Sequence, residues 1–164
     1  MLTKTKNRHL HGKESQGMTV REIKENKKAY LSLLLLADEE EAMIDRYLER
    51  GRMLVLEDGG TKSECVITDE GDGVLEIKNL ATAPEHQGKG YARALIEHIT
   101  REYGKDFHIL QVGTGDSPLT VPFYEKCGFT RSHVIENFFT ENYSHPIYEG
   151  GVLLKDMVVL RKNI

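Results

Sequence analysis

Gln87-Gly88-Lys89-Gly90-Tyr91-Ala92 is the stretch that decides how this chain is read. A run rich in strand-forming residues, 74–82, leads into it, and a run with helical periodicity, 92–103, leads out. The order is strand, tight glycine turn, helix. Two glycines one residue apart leave backbone N–H groups uncovered by any Cβ. The first turn of a helix adds its own unpaired N–H groups and the positive end of the helix dipole. Together these make a seat for a phosphate or pyrophosphate.

The spelling narrows the choice of phosphate loop. A Walker A loop needs G-x-x-x-x-G-K-[ST], which the chain lacks. The dinucleotide fingerprint G-x-G-x-x-G fails at its last position, where Arg93 stands. What remains is Gln-Gly-x-Gly-x-Ala.

Upstream of the loop, residues 18–23 read as a first strand. Residues 26–37 read as a helix with Ala29, Leu33 and Leu36 on one side. Asp38 is placed to cap a second helix, with Glu41 at the capping-box position and Gly51 as its stop. The inner face of that helix carries Met43, Ile44, Tyr47 and Leu48. Residues 53–56 and 64–68 form a hairpin around Asp58-Gly59-Gly60, and Gly71-Asp72-Gly73 is a further turn.

Downstream, Ala94, Leu95, Ile96, Ile99 and Tyr103 mark one helical stripe, ended by Gly104. Residues 107–112 read as a strand, which completes a right-handed βαβ unit. Asp116 or Ser117 caps the next helix, with Pro118 in its first turn and Gly128 after its end. Residues 131–139 and 152–160 read as a long antiparallel pair around a polar, aromatic connection.

Composition sets the outer limits. At 164 residues the chain has room for one domain, expected over 18–164, behind a polar stretch over 1–17 that reads as a flexible extension or tag. No hydrophobic segment follows the basic residues of that stretch, so it does not read as a signal peptide. A net charge of −4 argues against nucleic-acid binding by bulk electrostatics. No apolar run approaches the ~20 residues of a membrane span. Cys65 and Cys127 belong to no C-x-x-C, and no histidine pair has H-x-x-x-H spacing, so no metal is expected. Reduced, buried thiols in a cytoplasmic protein are the expected state.

A second motif fixes the resemblance. Phe123-Tyr124-Glu125-Lys126-Cys127-Gly128-Phe129 follows the second strand of the βαβ unit. The hexapeptide resembles the acyl-CoA loop of the GCN5-related N-acetyltransferases, [QR]-x-x-G-x-[GA], with Gln87, Gly90 and Ala92 at its fixed places. The later segment resembles that family's Y-E-K-x-G-F, and the element order β-α-α-β-β-β-α-β-α-β-β is also similar. Gly113-Thr114-Gly115 and a long final hairpin are similar to bacterial members. The resemblance covers residues 19–160. It implies an α/β acyl-CoA N-acyltransferase fold, a central mixed sheet flanked by helices.

The same resemblance implies a function and a site. Acetyl-CoA would be the co-substrate and an amine the acceptor, compatible with a monomer or a homodimer. The backbone of Gln87, Gly88, Lys89, Gly90, Tyr91 and Ala92 would hold the CoA pyrophosphate. The strand edge at Leu80, Ala81 and Thr82 would pair with the pantetheine arm. Ser117 stands where family members carry a CoA-contacting asparagine. An alkylammonium with pKa near 10.4 needs roughly 4–5 kcal/mol to reach its neutral form at pH 7, so the reaction calls for a base. Glu76, eleven residues before Gln87, resembles the family's glutamate base. Tyr124 resembles the donor that protonates the leaving thiolate. Cys127 opens an acetyl-cysteine route, against which direct transfer in a ternary complex is expected. A catalytically silent acyl-CoA-binding module of the same fold is the alternative. Asp38, Glu39, Glu40 and Glu41, with Glu136, Glu141 and Glu149, favour a cationic acceptor.

Overall fold

The structure, a computed structural model, describes residues 17–164. The extension expected over 1–17 therefore lies outside the described residues except for Gly17. The chain runs β1 (Thr19–Ile23), α1 (Leu31–Ala37), α2 (Glu41–Ile44), β2 (Arg52–Glu57), β3 (Thr61–Asp69) and β4 (Val74–Thr82). It continues α3 (Tyr91–Tyr103), β5 (Ile109–Gly115), α4 (Val121–Lys126) and β6 (Thr130–Ile135). The last part is α5 (Phe138–Asn142), β7 (Tyr148–Glu149), β8 (Val152–Leu153) and β9 (Met157–Asn163).

Seven strands form one sheet in the order β1-β2-β3-β4-β5-β9-β6. All neighbours are antiparallel except β4 and β5, which the α3 crossover makes parallel. Both faces are covered, so the central strands do not alternate apolar with polar. Met53, Leu54, Val55 and Leu56 of β2 are all buried. Leu54 and Leu56 pack with Leu95, Ile96 and Ile99 of α3 and Val121 and Tyr124 of α4. Met53 and Val55 pack on the other face with Leu34, Ile44, Tyr47 and Leu48. Burial of a Leu or Ile contributes about 1.5–3 kcal/mol, so these two clusters dominate the stability of the sheet.

Local chemistry explains where the elements differ from the sequence reading. The first helix starts as a tight 3-10 turn, Lys27–Tyr30. It buries Leu34, flanked by Leu31 and Leu35, while Leu36 is exposed and Ala29 faces solvent. Asp38 does not cap the second helix. It ends α1 in an extended conformation, and Glu40 is the residue before α2, with no side-chain cap. Glu41 pairs instead with Lys28 at 2.9 Å. Lys27, itself buried, gives its ammonium to the carbonyls of Leu48 (2.8 Å) and Gly51 (2.7 Å) and closes the turns that follow α2.

The second strand of the βαβ unit starts at Ile109 and runs on to Gly115. α4 starts at Val121 with Pro122, not Pro118, in its first turn; Ser117 builds the preceding turn by accepting the Leu119 N–H at 3.1 Å. The final antiparallel pair is β6 with β9, and both are shorter than expected. The chain between them forms α5 and the small β7–β8 hairpin. Phe139, Ile147 and Leu154 give this insertion its own small core, with Met157 against it. Gly113 has no Cβ because one would run into the Met157 sulfur. The insertion thus sits on the open end of β5 as a roof.

Candidate active site

The glycine loop folds as a bare cradle. A 3-10 turn, Pro84–His86, brings β4 to Gln87, whose side-chain amide donates to the Thr82 carbonyl at 3.2 Å. Gly88 (φ 75°) and Gly90 (φ 84°) both take the left-handed conformation, and a Cβ on either would meet nothing. Gly90 precedes α3 without any side-chain cap, and the first turn of α3 carries no acid. The N–H groups there are free to face an anion. Tyr91 pins the helix start to the β2–β3 hairpin through a 2.7 Å hydrogen bond to Asp58. Residues 87–90 are exposed, and Lys89 and Arg93 flank the cradle from outside.

Upstream, the sheet opens. β4 and β5 pair from Val74↔Ile109 to Ile77↔Val112 and no further, although β4 runs to Thr82 and β5 to Gly115. A bulge at Lys78 turns β4 against β3 at the same point. The divergence leaves the β5-facing edge of Leu80, Ala81 and Thr82 without a strand partner. A cleft of about 580 Å³ fills the gap. Its walls are the two strand ends, α1 and the turns after α2, Thr120 just before α4, Tyr124 of α4, and the roof.

Two residues singled out from the sequence meet in this cleft. Tyr124 is 8% exposed, and its ring lies edge-on to Phe123 and Phe129 at centroid distances of 5.1 and 5.6 Å. Burial pushes its phenol well above the ordinary range, so it is a neutral O–H donor at physiological pH. Glu76 also lines the cleft, with both carboxylate oxygens engaged: Lys78 pairs with one, and Gln111 donates to the other at 2.8 Å.

Two others do not join them. Ser117 is buried, and its hydroxyl is used in the turn before α4. Cys127 lines a separate hollow of about 210 Å³ with Arg93 and Lys162, and burial pushes its thiol up, away from the reactive thiolate. Cys65 is fully buried and its thiol is pushed up more strongly, also by burial.

The far wall holds groups that the sequence reading ranked differently or missed. Asp38 is 8% exposed and accepts hydrogen bonds from Tyr47 (3.2 Å) and from Tyr143 of the roof (2.8 Å). Asn79 of β4 donates to Tyr47 and to the Leu34 carbonyl, both at 3.0 Å. Behind them Glu64 is fully buried with both oxygens unpartnered, and burial raises its carboxyl well above the usual carboxylate range. A signal for Asn79 existed in the sequence, a lone amide in the alternating phase of Leu75, Ile77 and Ala81 that the strand buries. Tyr143 had none, because its partner is 105 positions away.

Comparison with known proteins agrees with this geometry. Residues 49–131 match the acetyltransferase (GNAT) domain family. An uncharacterised N-acetyltransferase of Bacillus subtilis, YvbK, is 32% identical over 131 residues, covering 78% of this chain and 84% of that protein. Among solved structures, an IAA acetyltransferase from Bacillus cereus superposes with a TM-score of 0.83 at 33% identity, over 90% of this chain and 100% of that one. A GNAT acetyltransferase from Elizabethkingia anophelis with acetyl-CoA bound superposes with a TM-score of 0.85 at 28% identity, over 91% and 99%. An uncapped helix start beside a parted strand pair defines an acyl-CoA-dependent transferase, and this chain belongs to the GNAT family of N-acetyltransferases.

Proposed function

We propose that this protein transfers the acetyl group of acetyl-CoA directly to a cationic primary amine within a ternary complex. The observation that carries the reading is the parting of β4 from β5 beyond Ile77↔Val112, in line with the uncapped start of α3. The amides of residues 87–92 receive the pyrophosphate. The free edge at Leu80, Ala81 and Thr82 hydrogen-bonds the pantetheine arm. The thioester then lies in the cleft near Tyr124, whose neutral hydroxyl protonates the departing thiolate. Water exclusion by the roof strengthens these contacts.

Charge supports a cationic acceptor. Of the cleft's basic side chains, Lys78 and Arg50 are ion-paired with Glu70 and Glu76, and Arg46 is bound to the neutral Asn142 at 3.0 Å. Asp38 and Glu149 have no cationic partner among the described residues, and burial raises both carboxyls. Glu76 keeps its place in the cleft, but with both oxygens engaged it serves first to hold Lys78 and Gln111. Two free, buried cysteines suit a reducing compartment, consistent with work in the cytoplasm.

The test is acetyl-CoA turnover against a panel: 1,4-diaminobutane, spermidine, an aminosugar, a lysine peptide, and neutral and anionic acceptors. Turnover is expected with cationic amines, with KM rising at high salt as the attraction is screened. Acetyl-CoA, but not ATP or NAD at equal concentration, is expected to raise the melting temperature. A shift with NAD and none with acetyl-CoA refutes the reading. Best activity on an anionic acceptor refutes the choice of substrate class.

A further inference from the structure

The buried wall opposite Tyr124 has a hydrogen-bond imbalance. Asn79 is 2% exposed, and its amide nitrogen spends both N–H groups on Leu34 and Tyr47, which fixes which end is oxygen. That oxygen has no partner. Tyr47 in turn donates to Asp38. The Asp38 carboxylate offers about four acceptor directions and receives two phenols, and no cation pairs with it among the described residues. The capacity left at Asp38 is therefore acceptor capacity, in a cleft sized for a small molecule; Arg46, which also lines this cleft, is turned to Asn142 at 3.0 Å. A donor with several N–H groups and a positive charge completes it, and a primary ammonium has three.

We propose that Asp38, which lines the cleft, holds the acceptor's ammonium and takes its first proton, while the buried Asn79 amide holds Tyr47 in place behind it. This rests on the reading of the chain as an acetyltransferase of cationic amines. The contrast with Glu76 is the reason for the choice. Glu76 is already compensated by Lys78 and by Gln111, which Arg161 holds at 3.0 Å. Asp38 has only neutral partners, and burial outweighs the hydrogen bonds from Tyr143 and Tyr47 to raise its carboxyl above the ordinary value. A base so placed is better matched to an ammonium than an ion-paired one.

The steps balance. The ammonium gives one proton to the Asp38 carboxylate and becomes a neutral amine. Its lone pair forms the N–C bond to the thioester carbonyl. Collapse of the tetrahedral adduct breaks the C–S bond, and the thiolate takes the Tyr124 proton. The nitrogen's second proton restores Tyr124, and Asp38 releases the first to solvent.

Other ionisable groups face Asp38 from each neighbouring element. Glu39 and Glu40 adjoin it in the chain, and His145 of the roof contacts both at 3.4 and 3.0 Å. Glu149 closes the roof side, and Glu64 of β3 lies behind Tyr47. Of these only Glu40 touches the Asp38 carboxylate, through its backbone N–H, and Arg46, the basic group of the turns after α2 on this cleft, is bound to Asn142.

The experiment uses the full chain with acetyl-CoA and 1,4-diaminobutane, measured as rate against pH. Asp38→Asn is expected to lower kcat/KM for the amine at least about 100-fold at pH 7. The KM for acetyl-CoA stays within about twofold, because the cofactor site is untouched. Its rate then climbs about tenfold per pH unit toward the amine's own pKa near 10.4. Tyr143→Phe keeps the ring but removes a hydrogen bond that lowers the Asp38 carboxyl, so the acidic limb moves to higher pH. Glu76→Gln leaves that limb in place. An acidic limb unmoved in Asp38→Asn or Tyr143→Phe, or abolished by Glu76→Gln, overturns the assignment while leaving the acetyltransferase reading intact. Wild-type protein inactive on every amine of the panel overturns both.

Discussion

The cofactor cradle and the acceptor wall are built by opposite means. The cradle comes from six consecutive residues that offer backbone N–H groups, and its only demands are two left-handed glycines and an uncapped helix. The proposed acceptor wall draws Asp38, Tyr47, Asn79 and Tyr143 from four separate segments and is joined by side-chain hydrogen bonds. A backbone site is specified by local conformation and tolerates change at exposed side chains. A side-chain site needs the tertiary fold in place first. The two halves are therefore expected to fail independently.

Gly90→Val is the change that breaks the cradle alone. Forcing a β-branched residue to φ 84° costs roughly 1–2 kcal/mol, and its side chain covers the amides the phosphate needs. The Kd for acetyl-CoA is expected to rise by at least about 100-fold. Gly59→Val, at φ 65° in the β2–β3 hairpin, carries similar strain and should leave that Kd unchanged. Equal affinity losses in the two variants, by calorimetric titration, show that strain and not phosphate access explains the effect.

Tyr124→Phe tests the opposite half. It keeps the edge-on contacts with Phe123 and Phe129 and removes only the donor. kcat is expected to fall about 10- to 100-fold with the Kd for acetyl-CoA within about twofold. An unchanged kcat reduces Tyr124 to a packing residue.

The smallest effect concerns the network that holds Lys78 at the mouth of the cleft. Burial alone raises the Glu70 carboxyl, but the Thr68 hydroxyl, Lys78 and Arg50 outweigh it and bring it from 4.5 to about 2. A carboxyl lowered in the folded state stabilises above its unfolded pKa and loses that contribution as pH falls through its folded pKa. Glu70→Gln is thus expected to lower the melting temperature by about 2–4 °C at pH 7, after allowance for solvent screening. The difference should close between about pH 4.5 and 2. A difference that persists at pH 2, by thermal denaturation, assigns it to packing.

The same contrast decides what the sequence revealed. β4, the loop and α3 were legible nearly to the residue, because strand pattern, glycine spacing and helical stripe lie in consecutive order. The first helix was legible as a helix but not in its phase. Five apolar residues over 33–37 give no polar contrast, so Leu36 was placed inward while Leu34 is the buried one. Asp38 has the spelling of a helix cap, but two distant tyrosines bind its carboxylate. The two ends of the roof were read as strand because residues 131–139 and 152–160 are β-rich, and its middle as a polar, aromatic connection, whereas Phe138–Asn142 folds as a helix over its own aromatic core. Of the expected site, Glu76, Leu80 and Tyr124 line the cleft, and Ser117 lies outside it, its hydroxyl bound within a turn.

The roof also bears on how such a molecule changes its diet over evolutionary time. It is an excursion between β6 and β9, tied to the front of the chain by side-chain contacts: Tyr143 to Asp38, Ser144 to Glu40, His145 to Glu39 and Glu40, and Arg46 to Asn142. Doubling the length of a surface excursion adds only about 0.6 kcal/mol of closure entropy. Insertions, deletions and substitutions there can reshape one wall of the cleft while the strand-loop-helix of the glycine loop stays untouched. On the proposed function the molecule thus carries its selectivity on a detachable part, and new acceptors can be tried without putting the transfer chemistry at risk.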